Sequence, residues 1–427
     1  MPDVTEAPAA PAEFRYHDRL DRRWPRLVRR ASRAVLGFDP APPDDVVRTF
    51  AAMYYDADPL AEAFVEEVYL RRGMAAGRAL LEQALAGGVA SVPDPPPSLV
   101  ALFADLERDP PWVDPARVER GARAFRRFGP AVFRFAGTIT LAAYTESSVA
   151  KPLALTGAYA GGSTRHRFLE TAAFWIAVSE PGGLAAGAPG RASALRVRIM
   201  HVFVRRRLLD HPEWDRAAWG VPISQADALL TLMGGSVAPG LGLRAMGFRP
   251  STDDIEAMMH FWRYVGHLMG VRPRWYPTTV REGLQLAFVA ALKGAGTAGE
   301  DGVRLCQSYA RAFEPAGYGG PARGRARRAS ALTRLRAEAS HRVHLGYTRF
   351  FLPPSVHRHN RLPAAGPWAL VPLAAFPLVF TAETLRRAIP ALEVVADRVA
   401  RWRRDRWLAH HTGGRRAEYR PVEQFTR

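Results

Sequence analysis

Apolar residues recur along most of the chain at the three- and four-residue spacing of an α-helix. The pattern starts near Asp44, and its first members are Val47, Phe50, Ala51, Tyr54, Leu60, Phe64 and Val68. Because residues three and four apart share one face of a helix, this spacing predicts amphipathic helices. Further helices are predicted over residues 131–143, 167–178, 192–209, 225–232, 253–268 and 279–292. Alternation typical of strands is nearly absent, so the sequence predicts an all-α fold.

The pattern divides the chain into three stretches. Residues 1–43 are expected to form a basic N-terminal arm, solvated apart from one short helix. Its arginines include Arg22, Arg23, Arg26, Arg29 and Arg30. Residues 44–300 are expected to form the main domain. Residues 301–427 are predicted to be a C-terminal helical extension with an apolar segment and a basic tail.

The apolar segment of the C-terminal extension covers residues 368–381 and is interrupted by Pro372 and Pro377. It is too short to span a bilayer comfortably, and the prolines would kink it. Two interpretations remain open. The segment is either a core helix or a membrane-surface anchor, whose following arginines would meet anionic lipid.

The 427 residues have a net charge of +18, and 59 of them are basic. Lys151 and Lys293 are the two lysines, so arginine supplies almost all of this charge. A basic chain can bind nucleic acid, but no nucleic-acid-binding motif is present, and we expect no such partner. Cys306 is the single cysteine, which excludes an internal disulfide. Residues 1–14 lack the features of a secretory signal, so a cytoplasmic location is expected, with peripheral membrane contact left open.

The segment ALRVRIMHVFVRRRLL, residues 194–209, has the most informative pattern of polar residues. On a helix, Arg198, His201 and Arg205 share one face at positions i−3, i and i+4. A neutral imidazole is a good ligand for haem iron, and arginines one turn away can pair with haem propionates. Spacing alone favours a structural histidine with satisfied hydrogen bonds.

A second polar set lies upstream, in the segment RHRFLETAAFW. Arg167 and Thr171 fall at i and i+4 on one helical face, with Glu170 adjacent. A charged pair and a hydroxyl group on an otherwise apolar helix indicate the polar lining of a pocket. A surface helix with an Arg/Glu pair explains the pattern nearly as well.

Together these motifs resemble the latex-clearing proteins, which are rubber oxygenases, and the related MpaB oxygenases. The resemblance includes Arg167 and Thr171 followed thirty residues later by His201, with Arg205 behind it. It also includes WDRAAWGVPISQAD at residues 214–227 and FWRYVGHLMGV at residues 261–271. It covers roughly residues 44–292 and, more loosely, the tail.

The resemblance implies a globin-like helical core with additional helices around a haem b pocket, within a catalytic domain at residues 44–300. His201 would be the iron ligand, and Arg167 and Thr171 would lie near the distal side. Such enzymes use O2 to oxidise or cleave the C=C bonds of hydrophobic, isoprenoid substrates. A hydrophobic small molecule or lipid is therefore the expected substrate.

One departure from the family limits this transfer. Rubber-cleaving members have a glutamate and a lysine on the distal side, whereas Lys151 and Glu170 occupy the matching positions here, with the charges exchanged. If the two side chains lie together, an ion pair survives in reversed order and Glu170 can serve as the base. Rubber itself is not the expected substrate.

Two other functional hypotheses remain. Glu256, His260 and His267 lie at i, i+4 and i+11 and could belong to a non-haem iron site, although structural packing is favoured. The chain could also be a helical membrane-surface or lipid-binding protein without turnover. His341, His344, His357 and His359 lie among basic residues and are expected to be exposed.

Overall fold

The computed structural model describes residues 10–157, 163–314 and 331–412. Within these ranges every regular element is helical and no strand occurs, which confirms the predicted all-α class. The helices of the first half are α1 (Tyr16–Leu20), α2 (Arg23–Leu36), α3 (Asp44–Ala52), α4 (Pro59–Phe64), α5 (Met74–Gly87), α6 (Pro97–Glu107), α7 (Pro115–Arg127), α8 (Ala131–Ala143), α9 (Ser147–Leu155), α10 (Ser163–Ser179) and α11 (Pro189–Leu209).

The second half continues with α12 (Arg216–Trp219), α13 (Gln225–Gly235), α14 (Val237–Gly242), α15 (Thr252–Leu268), α16 (Val280–Lys293), α17 (Gly299–Arg311), α18 (Ala331–Phe351), α19 (Pro354–His359), α20 (Val371–Ala374), α21 (Phe376–Ala388) and α22 (Ala391–Thr412). A π-helical segment, Val65–Leu70, follows α4. Short 3-10 helices cover Met53–Tyr55, Val89–Ser91, Leu243–Met246 and Gly366–Leu370.

Side-chain caps set where several helices begin. The Asp114 carboxylate accepts hydrogen bonds from the backbone N–H groups of Ala116 and Arg117 at the start of α7. Ser251 forms a reciprocal capping box with Asp254 at the start of α15. Thr279 and Glu282 form another at the start of α16. Each cap satisfies N–H groups that have no partner inside the helix.

Helices α7 and α15 approach each other closely at the centre of the fold. Gly121 allows this approach, because a Cβ atom at that position would overlap the carbonyl group of Ala257. Aromatic rings fill the space beside the contact, with Phe125 and Trp262 centred 5.3 Å apart. The pair forms part of one large apolar core that extends to α11 and α13.

Helix α10 lies between α11 on one side and the C-terminal helix α22 on the other. Arg404 of α22 is buried and donates to the Ser179 hydroxyl group and the Glu180 carboxylate at the end of α10. Arg126 of α7, also buried, donates to Asp397 of α22 at 2.9 Å. The C-terminal extension is therefore packed directly on the middle of the chain.

The outer stretches of the chain show more order than the sequence suggested. Residues 16–36 form two helices in place of the one expected, and Tyr16 is buried. Helices α17 and α18 pack on α9 and α8. The division of the chain at residues 43 and 300 stays a prediction.

Within residues 10–157, 163–314 and 331–412, two helical stretches are long and apolar enough, by length and composition, to cross a membrane. Gln225–Met246 is 56% buried and contributes to the core. Gly366–Ala388 is 11% buried, so the core-helix interpretation of the C-terminal apolar segment is wrong.

Candidate cofactor and substrate site

His201 lies near the middle of α11, the 21-residue helix that begins with Pro189. Val197, Val204 and Leu208 share its helical face and are buried. Leu155, from the end of α9, packs against Val204 and Leu208. His201 as a residue is intermediate between buried and exposed.

The surroundings of His201 keep its imidazole neutral. Burial, and after it the positive charges of Arg205 and Arg167, lower the pKa of His201 to about 4. At pH 7 the ring therefore has a lone pair free for a metal ion. Within the described part of the chain, no group forms a hydrogen bond with this ring. A metal ligand needs these two properties.

Arg198, one turn before His201, is held by two carboxylates of the protein. Its guanidinium group donates to Asp58 at 2.6 and 2.9 Å and to Asp105 at 3.1 Å, and its side chain is 1% exposed. The sequence suggested a propionate partner for Arg198. The structure instead gives it internal partners that fix α11 against the start of α4 and the end of α6.

Arg205, one turn after His201, also has partners inside the protein. It donates to the carbonyl groups of Pro222 and Ile223 and, at 3.2 Å, to the Glu62 carboxylate. Its guanidinium group therefore holds the 222–223 backbone in place of the suggested propionate. Its charge still acts on His201, whose pKa it lowers.

Arg167 and Thr171 lie one turn apart on α10, the helix that packs along α11. The Thr171 hydroxyl group donates to the Arg167 carbonyl group at 3.0 Å. The Thr171 side chain is exposed, whereas that of Arg167 is partly buried and close enough to His201 to lower its pKa. The structure thus brings Arg167 of α10 close to His201 of α11, although a loop separates the two helices in the sequence.

Lys151 and Glu170 pair with different residues. Lys151 forms an ion pair with the buried Asp301 at 2.8 Å, and its ammonium group lies over the ring of Trp219. The Glu170 carboxylate lies 3.4 Å from the ring of His166, four residues before it on the same helix. Lys151 therefore does not form the expected ion pair with Glu170, because α17 brings Asp301 to Lys151.

A sequence model of the family described as "ER-bound oxygenase mpaB/B'/Rubber oxygenase, catalytic domain" matches residues 126–387. The chain belongs to this family. The match confirms the resemblance seen in the sequence, and its span includes all seven predicted site residues: Lys151, Arg167, Glu170, Thr171, Arg198, His201 and Arg205.

Two relatives of this oxygenase family are similar to the chain. The rubber oxygenase of Streptomyces sp. (strain K30) is 27% identical over 235 residues, which cover 52% of this chain and 54% of the relative. The chain thus matches about half the length of that relative. The solved structure of latex clearing protein LCP in the closed state superposes with a TM-score of 0.60 at 20% identity, over 82% of this chain and 91% of that one. At this identity the superposition establishes the shared helical fold.

His260 and His267 of α15 contact groups of the protein that explain them as packing residues. His260 accepts a hydrogen bond from the Asp114 backbone at 3.1 Å. The ring of His267 is stacked with that of Tyr264, 6.4 Å away between centroids. Among the described residues, no group of three or more His, Cys, Asp or Glu side chains could hold a metal ion. The packing interpretation of His260 and His267 is therefore favoured over a non-haem iron site.

Sequence reasoning missed two buried polar features. Lys293 donates to the Glu146 carboxylate, and both side chains are buried. The Ser148 hydroxyl group donates to Asp227 nearby, and burial raises the pKa of both Glu146 and Asp227. A signal existed, since Lys293 is one of two lysines in an arginine-rich chain.

The second missed feature is His344. It was expected to be exposed, but it is 2% exposed and packs against the rings of Phe313 and Tyr309. Cys306, in contrast, is a small buried residue, as its helical surroundings suggest.

Proposed function

We propose that the chain is a haem b-dependent oxygenase that uses O2 to oxidise or cleave a C=C bond of a hydrophobic substrate. The observation that supports this most is the neutral imidazole of His201 on an apolar helix face. The chain also belongs to a family of oxygenases, which supports a role of this imidazole in oxygenase chemistry.

The residues present fit a haem group better than a bare metal ion. A bare iron site needs several protein ligands, whereas haem iron needs one axial side chain because the porphyrin supplies four nitrogens. His201 meets that need, since its pKa is low enough to keep it neutral at pH 7. When bound, haem supplies the binding and activation of O2 at its iron.

The chain's own residues then have separate tasks. His201 would hold the haem iron, and Arg198 and Arg205 hold α11 through Asp58, Glu62 and the 222–223 backbone. A ligand on a well-fixed helix keeps its ring in one orientation, which favours tight cofactor binding. In this assignment the two arginines act through His201 without touching the propionates.

Arg167, Glu170 and Thr171 are our candidates for contact with substrate or O2. The Arg167 guanidinium group brings a positive charge close to His201, and the Thr171 hydroxyl group lies on the same side of α10. Glu170, next to Thr171 in the sequence, is the candidate base. We assign Lys151 to fixing α9 against α17 through Asp301.

The substrate class follows from the apolar surroundings of His201. Val197, Val204 and Leu208 line its helix face, so an uncharged, hydrophobic alkene fits better than a polar one. The exchange of charge at Lys151 and Glu170 argues against rubber and for a smaller molecule or lipid. A cytoplasmic location remains part of the proposal.

The absorption spectrum of the protein tests this proposal directly. We expect the purified or haem-reconstituted chain to show a Soret band that His201→Ala abolishes or greatly weakens, because the axial ligand is lost. His260→Ala is the matched control and should leave the band unchanged. A wild-type protein that stays colourless after reconstitution would contradict the proposal. Bound iron without a Soret band, lost in His260→Ala, would favour the non-haem site instead.

Turnover separates the oxygenase from a lipid-binding protein without activity. With an isoprenoid alkene, the haem-loaded chain should consume O2 and yield oxygenated or cleaved products detectable by mass spectrometry. Thr171→Val, which replaces the hydroxyl group by a methyl group of similar size, should lower this rate while the Soret band persists. A haem-loaded protein without O2 consumption would favour the alternative.

A further inference from the structure

Helices α21 and α22 form a helical hairpin whose outer side is apolar. The C-terminal apolar surface consists of Leu378, Leu385, Ile389, Val395, Val399 and Trp402, which are between 46% and 78% exposed. In α21, Leu378 and Leu385 are seven residues apart, and in α22, Val395, Val399 and Trp402 are four and three residues apart. Ile389 lies in the connection between the two helices. Each set therefore follows one face of its helix.

The other side of the hairpin is fixed to the protein. Glu383 and Arg386 of α21 are buried and form an ion pair, and Arg386 also donates to Glu393 of α22. Arg404 of α22 is fully buried against the end of α10. The apolar surface therefore belongs to two helices whose opposite sides are packed firmly against the rest of the protein.

The exposed charges of α21 and α22 are mainly positive. In α21 and α22, all of which the structure describes, the exposed arginines are Arg387, Arg398, Arg403 and Arg406, and the exposed acid is Asp405. The Arg406 guanidinium group lies over the Trp402 ring, 5.4 Å from its centroid. An apolar face with a tryptophan and a basic rim complements the acyl chains and anionic headgroups of a lipid bilayer.

The hairpin is suited to lie on a bilayer, not to cross it. Helix α21 has 13 residues, so it is ~20 Å long, against the ~30 Å thickness of a bilayer core. The longer apolar run Gly366–Ala388 consists of a 3-10 helix, α20 and α21, with prolines at 372 and 377. Crossing would also take the Glu383–Arg386 pair into hydrocarbon, which is costly.

We propose that the C-terminal apolar surface docks on an anionic lipid bilayer, with α21 and α22 lying in the plane of the interface. The arginine rim contacts the headgroups, and the six apolar side chains enter the outer acyl region. A second copy of this chain is the competing occupant. It is disfavoured because two copies would bring their basic rims together.

Co-sedimentation of the full chain with vesicles tests the proposal. The vesicles contain phosphatidylcholine alone or phosphatidylcholine with phosphatidylglycerol at about 7:3, since ~30% anionic lipid gives a clearly negative surface. The hairpin variant has Leu378→Gln, Leu385→Gln, Val395→Thr and Trp402→Gln. Its matched control, in α2, has Leu27→Gln, Leu36→Gln, Val35→Thr and Trp24→Gln, at residues that are also more than half exposed.

The wild type should bind the anionic vesicles more tightly than the neutral ones. The hairpin variant should bind them about tenfold more weakly or worse, because it loses most of the buried apolar area. The α2 control should stay within about twofold of the wild type, since its changes lie outside the proposed surface. The proposal is overturned if the wild type binds neither vesicle, if the hairpin variant binds normally, or if the α2 control loses as much.

Two further measurements exclude trivial explanations. Quenching by brominated lipid, compared between wild type and Trp402→Phe, should show that Trp402 enters the acyl region, and equal quenching would overturn the proposal. Sedimentation velocity should show a monomer, whereas a dimer lost in the hairpin variant would assign the surface to a second copy. Both readouts are independent of haem and turnover, so they do not depend on the proposed oxygenase activity.

Discussion

Arg198 donates two hydrogen bonds to Asp58, at 2.6 and 2.9 Å, from a position one helical turn before His201. Asp58 also accepts a hydrogen bond from the Ala61 backbone and so caps α4. One carboxylate therefore fixes both the start of α4 and the helix of the candidate haem ligand. Such a buried pair is costly to break, because the remaining charge has no solvent around it.

Arg198→Leu should lower the free energy of unfolding by ~3–5 kcal/mol, because it leaves Asp58 buried without its cation. Urea denaturation at pH 7 measures this loss. Arg196→Leu on the same helix is the control, since Arg196 pairs with the partly exposed Glu82. Exposed pairs contribute under ~1 kcal/mol, so equal losses in the two variants would contradict a special role for Arg198.

Lys293→Met should likewise destabilise the protein by ~3–5 kcal/mol at pH 7, because Glu146 loses its buried partner. Burial already raises the pKa of Glu146, while Lys293 opposes that change. Without Lys293, the folded state takes up a proton more readily than the unfolded state. The stability difference from wild type should therefore shrink as the pH falls from 7 towards 5.

The double variant Lys293→Met with Glu146→Gln distinguishes the interaction between the two side chains from their separate interactions with the rest of the protein. It should be more stable at pH 7 than Lys293→Met alone, because no uncompensated carboxylate remains. Urea denaturation of all four proteins gives the coupling energy. If the loss of stability in the double variant equals the sum of the losses in Lys293→Met and Glu146→Gln, the two side chains are not coupled.

His344 should make the protein less stable in mild acid. Burial, and after it the positive charge of Arg134, lowers the pKa of His344 to about 3. The unfolded chain binds a proton below about pH 6.5, whereas the folded chain does not. The stability due to the neutral ring is present above pH 6.5 and is lost as the pH falls from 6.5 towards 3, by up to ~1.4 kcal/mol per pH unit.

His344→Phe removes this proton uptake and keeps an aromatic ring beside Phe313 and Tyr309. Between pH 7.5 and 5, its loss of stability should be smaller than that of the wild type. His410→Phe, at an exposed position of α22, controls for the removal of an imidazole. An unchanged pH slope in His344→Phe would show that this ring is not responsible.

Local pattern predicted the helices well, because helix periodicity depends on residues close in sequence. The helix predicted over residues 253–268 is observed as Thr252–Leu268, and the one over 279–292 as Val280–Lys293. Serine and threonine caps explain both starts. Spacing also placed His201 on one helical face with Arg198, Arg205 and the apolar residues Val197, Val204 and Leu208, which the helix α11 shows.

Partners far apart in sequence could not be predicted in this way. Spacing shows that Arg198 and His201 share a face, but it does not show that Asp58, 140 residues earlier, reaches that face. The same holds for Lys151, whose partner Asp301 comes from α17. For His344, the basic residues around it in sequence suggested exposure, whereas burial came from the rings of α17 and the loop after it.

The packing of α22 on α10 has a consequence for how a substrate would arrive. The side of α22 opposite Trp402 carries Trp407, whose ring is 6.2 Å from that of Phe168, the neighbour of Arg167 in α10. A chain resting on lipid through its outer hairpin would hold α10, the helix of Arg167, about one helix diameter, ~10 Å, above the membrane. It would then collect substrates by lateral diffusion within the bilayer, and solubility in lipid would become part of its selectivity.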